Sequence, residues 1–368
     1  VEKISIKTTE KVDSGRFARH DLLGGWWSQD KLARSHVLIV GVGALGNEIV
    51  KNLAMFGVGK ITIVDYDWIE ESNLNRCVLF TEDDVLGDKV YKVDAVARNV
   101  ARINSKMVVN TLKEDVHAIV RDDPDFFKQF DVVALALDNW PARISVGNLA
   151  YDYGVPVVNG GMRAFDGTVF VAIPPETPCV ECLLPASTKA AIMKVVYSCT
   201  TKGEIIYDGF DYIKVPTITT TNSVIGALQS QEIIFLLHGF SQYKETGIWP
   251  IEVPKPLWGQ KAEFYGRTHN LIVYDATIND ACEYHNSLKM LDTSFVSDIP
   301  TVLTVIIDGE KVELELEADG DDGAYTVADI VATLKAANFA INNLYCGGKL
   351  LADTMAISEI TAIVLEAS

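Results

Sequence analysis

The apolar and polar positions of this chain change period several times, and each change marks an element. Val37 to Val40 is an unbroken apolar run, the pattern of a parallel strand covered on both faces. Three glycines follow at Gly41, Gly43 and Gly46, then a helical stretch, and a second apolar run closes on Asp65. Pro216 to Gly239 has the character of an apolar helix. Near the end, TVLTVIIDGEKVELELEA is two alternating runs joined by Asp308-Gly309, a strong hairpin signal, and Val327 to Asn338 has the spacing of one amphipathic helix. Over residues 300–368 the pattern supports ββαββ. No run approaches the roughly 18 apolar residues of a membrane span, and no signal peptide is visible.

The first of these patterns carries chemistry. Glycines at Gly41, Gly43 and Gly46 let a backbone approach a phosphate, the next helix N-terminus offers free N–H groups, and a carboxylate such as Asp65 at the end of a second strand suits a ribose hydroxyl. A Gly-x-Gly-x-x-Gly turn alone leaves a dinucleotide site and other nucleotide folds both open. The tail SNLNR, with Asn73 and Arg76, is less ambiguous, because the fold itself has no evident need of these two residues and a dehydrogenase has little use for them.

From that tail the chain resembles the superfamily of ubiquitin-activating enzymes and of ThiF- and MoeB-type adenylyltransferases, over about residues 14 to 290. RFARH resembles the family's entry motif, whose second Arg, here Arg19, reaches into a partner subunit's site. LGDKVYKVDAVARNVARIN is similar to its Gly-x-x-Lys helix and places Lys89 against phosphate, and ALALDN is similar to the strand end that holds Asp138 over the nucleotide as a Mg2+ ligand. GVPVVNGG falls where the next strand is expected. The resemblance implies a Rossmann-like, mostly parallel α/β sheet over residues 1–290, ATP as cosubstrate, and a homodimer if Arg19 acts across subunits. Singly, Arg19, Lys89 and Asp138 each have an ordinary alternative as a solvated or capping side chain; their order along the chain is what favours the family.

The implied reaction needs these residue types. Joining a carboxylate to the α-phosphate of ATP brings negative charge together and expels pyrophosphate, so Arg19, Arg76, Lys89 and a Mg2+ held by Asp138 would neutralise it. The formal net charge of −18 argues against nucleic acid or an anionic membrane as partner. The chain begins on Val1 rather than Met, which leaves open whether native residues precede it.

Six cysteines fall in a pattern of thiol and metal chemistry suited to a reducing, cytoplasmic setting. Cys179 and Cys182 form Cys-x-x-Cys, Cys282 and His285 form Cys-x-x-His, and together they offer the four ligands of a structural zinc site. The family often has Cys-x-x-Cys at both places, so the His departs from its pattern; two unrelated polar loops are the alternative. Cys199 lies in the interval, about 183–216, where thiol-using relatives carry their acyl-accepting cysteine. It is the expected nucleophile, with Lys202 placed to lower its pKa and Cys77, beside Arg76, the rival. Relatives that need no thioester also carry a cysteine there.

Beyond a linker at 291–299, residues 300–368 resemble a ubiquitin-like β-grasp module. From Thr301 onward there are 12 acidic and three basic residues, a net charge of −9 and half that of the whole chain. The module ends on Ala367-Ser368, without a diglycine tail, which argues against a substrate role. Its C-terminal position, as in the ubiquitin-activating enzymes that the chain resembles, implies docking of a conjugating enzyme; a solvated acidic face and an autoinhibitory module are alternatives. The reading that follows is activation of a ubiquitin-like protein at its C-terminal Gly. Its rivals are a sulfur-carrier adenylyltransferase with no obligatory thioester, a non-catalytic subunit, and, least favoured, an NAD oxidoreductase.

Overall fold

In the computed structural model, the described residues are 15–138, 140–184, 216–279, 282, 284–285, 302–307, 310–315, 332, 334–336, 344–346, 349–350 and 364–367. Cys199 and the rest of 185–215 lie outside them, as do the turn residues Asp308 and Gly309. The chain divides into two compact units, residues 1–279 and 280–368.

The first unit is built on eight strands: β1 (His36–Val40), β2 (Lys60–Val64), β3 (Val108–Leu112), β4 (Val132–Leu135), β5 (Val157–Arg163), β6 (Asp166–Ala172), β7 (Gln260–Tyr265) and β8 (Asn270–Asp275). Their spatial order is β3-β2-β1-β4-β5-β6-β7-β8. The first five are parallel neighbours and the last three extend the sheet in antiparallel fashion. Val37, Leu38 and Ile39 are fully buried, as an inner parallel strand covered on both faces requires. The connections are carried by α1 (Gln29–Arg34), α2 (Ala44–Phe56), α3 (Lys92–Ile103), α4 (Val116–Asp122), α5 (Trp140–Asp152) and the 28-residue α6 (Thr219–Thr246).

Two features of this topology place the site. Strand β1 passes to β2 on one side, while its other neighbour, β4, arrives much later in the chain, so the order reverses between β1 and β4. A crevice opens outside the carboxyl ends of strands at such a switch point. Helix α2 is stopped cleanly at Gly57, whose φ of 85° is left-handed and whose N–H returns to the Leu53 and Ala54 carbonyls. Helix α6 packs closely on α2: a Cβ on Gly226 would stand 2.5 Å from Cβ of Glu48, and Ser223 donates to Glu48 Oε1 at 2.8 Å.

The second unit has five described strands, β9 (Val302–Ile307), β10 (Glu310–Glu315), β11 (Leu344–Cys346), β12 (Lys349–Leu350) and β13 (Val364–Ala367). They form one sheet in the order β10-β9-β13-β11-β12. β9 and β10 pair antiparallel with Ile307 opposite Glu310, as the Asp-Gly hairpin signal requires, and β13 returns parallel to β9. Ala332 and Leu334 to Ala336, within the expected amphipathic helix, are helical.

Candidate active site

The switch-point crevice is floored by the β1–α2 turn. Gly41 has φ 87°, and a Cβ there would stand 2.8 Å from the Ala136 carbonyl beyond β4; a Cβ on Gly46 would stand 2.1 Å from the Gly41 carbonyl. Protein packing therefore accounts for both. Gly43 is different: a Cβ on it would meet nothing within 4 Å among the described residues, so the absence of a side chain opens the N-terminus of α2 outward. The first N–H groups of any helix lack intrahelical acceptors, and Gly43, the N-cap, provides no side-chain bond to them. That is an anion cradle in waiting.

Asp65 stands directly beyond β2. Its Oδ2 accepts the Val42 N–H and its Oδ1 the Asp67 N–H, both at 2.9 Å, so this carboxylate shapes the Gly-rich turn while retaining lone pairs for a hydroxyl. Burial raises its pKa, against the opposing pull of Lys92 and the two N–H bonds. Lys92, at the start of α3, donates to Asp67 Oδ2 at 2.6 Å. Burial alone would lower its pKa; Asp65 and Asp67 outweigh that and raise it, which keeps the ammonium charged.

Asp138 is exposed just past β4. It follows the strand that neighbours β1. Burial raises the pKa of the Tyr66 phenol, and the nearby carboxylates Asp67, Asp115, Asp65 and Asp138 raise it further.

Two expectations are corrected by these placements, the helical position of Lys89 and the absence of a structural need for Asn73. Lys89 lies on an exposed turn before α3, not on the helix, and Lys92, three residues on, occupies the acidic corner where a phosphate-binding lysine is expected. Asn73 does serve the fold, since its Oδ1 accepts the Glu70 N–H at 3.0 Å while the Glu70 side chain returns the bond to the Asn73 N–H, a capping box around residues 71–73. Arg76 is half-buried, with Nη1 on the Ser72 carbonyl and on Asn75 Oδ1. Arg19 occupies an exposed turn, with no described contact to the crevice. Cys77 is 3% exposed and burial pushes its thiol up to about 11, so it is held as a protonated packing residue, a poor nucleophile.

Residues 17–264 match the ThiF family. The chain belongs to the ThiF family. Its relatives within or near that family include the sulfur carrier protein ThiS adenylyltransferase of Bacillus subtilis (35% identity over 175 residues, 47% of this chain and 51% of that protein). The SAMP-activating enzyme E1 of Haloferax volcanii is 32% identical over 195 residues, 51% and 67% of the two chains. A yeast protein, the ubiquitin-activating enzyme E1-like of Saccharomyces cerevisiae, is 35% identical over 173 residues, 47% of this chain and 26% of its own length. The chain thus spans about half of the Bacillus relative and about a quarter of the yeast one. Among solved structures, Escherichia coli MccB has the same fold, with a TM-score of 0.57 at 22% identity, covering 74% of this chain and 75% of that one.

This ThiF-family chain also carries two pairs of metal-ligating type, one in each unit. Cys179 and Cys182 open a short 3-10 turn with their Sγ atoms 3.9 Å apart, and Cys282 Sγ lies 3.5 Å from His285 Nδ1. Asn279 donates its backbone N–H to Cys182 Sγ at 3.4 Å, three residues before Cys282. Each of the four residues is buried. A tetrahedron with Zn–S of about 2.3 Å and Zn–N of about 2.0 Å has S–S and S–N edges of about 3.8 and 3.5 Å, so both measured pairs fit zinc. Replacing one Cys by His keeps the donor set sound.

Proposed function

We propose that this protein adenylates the C-terminal Gly of a ubiquitin-like protein. The reading is supported by the outward-opening Gly43 turn, the carboxylate Asp65 bonded to that turn and the charged Lys92, with Asp138 just past β4, the neighbour of β1. The α2 N-terminus, Lys92 and Arg76 bind the triphosphate, Asp138 would hold Mg2+, and Arg19 of a second copy completes the site. A carboxylate oxygen of the Gly attacks the α-phosphorus, the bond from that phosphorus to the α–β bridging oxygen breaks, and pyrophosphate leaves. The donors fixed in the crevice stabilise the leaving charge; the Mg2+ would supply further neutralisation there.

In a second step Cys199 thiolate attacks the acyl carbon, expels AMP and holds the carrier as a thioester for a conjugating enzyme, while zinc on Cys179, Cys182, Cys282 and His285 is structural. The five-strand order of the second unit, with its antiparallel opening pair and parallel return, supports the β-grasp reading, and its acidic charge suits a basic conjugating partner. This domain division and a cytoplasmic setting belong to the same proposal.

ATP–pyrophosphate exchange with candidate carriers tests the first step; no exchange with any carrier ending in Gly would refute it. Cys199→Ala should retain exchange and lose the thiol-sensitive adduct, and deletion after Ser297 should spare both steps and impair only transfer. The Bacillus ThiS adenylyltransferase, at 35% identity, favours a second reading in which the adenylate passes to a sulfur donor. Exchange with no adduct in the unmutated protein would decide for it.

A further inference from the structure

Arg143, in the first turn of α5, is 8% exposed. Its Nε and Nη2 both donate to the carbonyl of Leu137, the former at 2.7 Å, so a two-pronged donor grips the peptide group that leads into Asp138. The guanidinium carbon lies 5.4 Å from the Trp140 ring centroid. On the other side the sheet makes room: a Cβ on Gly161 of β5 would stand 2.7 Å from Arg143 Nη1.

Burying a guanidinium is unfavourable, and one carbonyl and one ring face offset only part of the cost. Burial pushes its pKa down to about 10, and the charge that opposes this shift is that of Asp138. For stability alone, an apolar side chain would fill this space at lower cost. Something at the end of β4 must be held in one orientation. Resting on the proposed role of Asp138 in binding Mg2+, we infer that Arg143 is a positioning residue for it: the fork on the Leu137 carbonyl fixes the peptide plane that leads into Asp138.

Two variants disturb this grip differently. Arg143→Gln removes the charge and the fork. Gly161→Ala keeps Arg143 and displaces its guanidinium, an easy displacement because the clash is with the far end of a flexible side chain. The probe is ATP, titrated calorimetrically into the full chain at several Mg2+ concentrations. Both variants should weaken ATP binding about ten-fold at low Mg2+, a loss of about 1.4 kcal/mol, and approach the unmutated protein at saturating Mg2+. Arg143→Lys, with its charge but no fork, should fall between. Binding of ATP without Mg2+ should not change, and a role only in folding would not produce that dependence on Mg2+.

Unmutated Mg2+ dependence in folded Arg143→Gln, or in Gly161→Ala should Arg143→Gln fail to fold, overturns the inference. Asp138→Ala separates the two levels. If its Mg2+ dependence is unmutated, the metal role of Asp138 falls and this inference with it; if it loses the dependence while the other variants keep it, only the Arg143 inference is wrong.

Discussion

The side-chain amide of Asn222 donates to the main-chain carbonyl of Arg76 at 3.1 Å, and the same nitrogen donates to the carbonyl of Ala44 at 2.9 Å. The first turn of α6, which follows the stretch containing Cys199, is thereby fastened to the Gly-rich turn and to the Arg76 loop at once. Asn222 is fully buried, so Asn222→Ala strands two carbonyls. We expect a loss of about 1–3 kcal/mol in urea unfolding and weaker ATP binding in the same variant. Unchanged ATP affinity would mean that the tie serves folding alone.

Lys92 and Lys89 make opposite predictions. Lys92→Ala removes the charge next to Asp65 and Asp67 and should weaken ATP at least ten-fold, whereas Lys89→Ala, on an exposed turn, should bind ATP normally. Equal effects in equilibrium titrations would contradict the placement of these two side chains.

Asp138→Ala should abolish pyrophosphate exchange while the fold survives. Arg19→Ala should be as inactive, yet mixing the two variants should restore exchange, because a mixed dimer contains one site with both residues intact. No recovery on mixing would show that Arg19 does not act across subunits.

The four-ligand group should contain one zinc per chain, lost in Cys179→Ser. Ligands drawn from two separate stretches make the metal part of the fold, so chelation at raised temperature should lower the melting point and not merely slow the reaction. Metal analysis of fresh protein that finds none would refute it.

Glu232 is 5% exposed in α6, accepts the Leu257 N–H at 2.7 Å, and burial pushes its pKa from 4.5 up to about 7. The folded state therefore binds more protons than the unfolded one between these values. Its contribution to stability is fully present below about pH 4.5 and is lost as pH rises through 7. Glu232→Gln, neutral throughout, should gain melting temperature relative to the unmutated protein at pH 8 compared with pH 5. A difference that does not change with pH would show that Glu232 does not titrate in this window.

How much of this is legible in sequence differs from element to element. An unbroken apolar run, three spaced glycines and a terminal Asp specify β1, the α2 turn and Asp65, since few other structures satisfy all three. The β9–β10 pairing is legible because Asp-Gly between alternating runs admits little else. Sequence points to Lys89 over Lys92 because the start of α3 depends on backbone geometry that two lysines three residues apart do not reveal. Asn73 looks superfluous because its cap bond is to a backbone group that sequence does not display. Arg143 leaves no signal: its meaning comes from burial against β5, a tertiary fact.

The pairing of β1 with β4 sets Val37 opposite Val132, and Val40 opposite Leu135. During synthesis, β1, the glycine turn and α2 leave the ribosome long before the strand that walls their other side. Until Leu135 has emerged, the inner edge of β1 is a row of unpaired backbone groups, open to wrong partners. On the proposed nucleotide site, ATP should first protect the nascent chain only after Asp138 is out, which a series of ribosome-stalled lengths probed with protease and ATP would reveal as a sharp onset. On that reading the ability to hold ATP is a late event in the life of the polypeptide, however early its glycines are written.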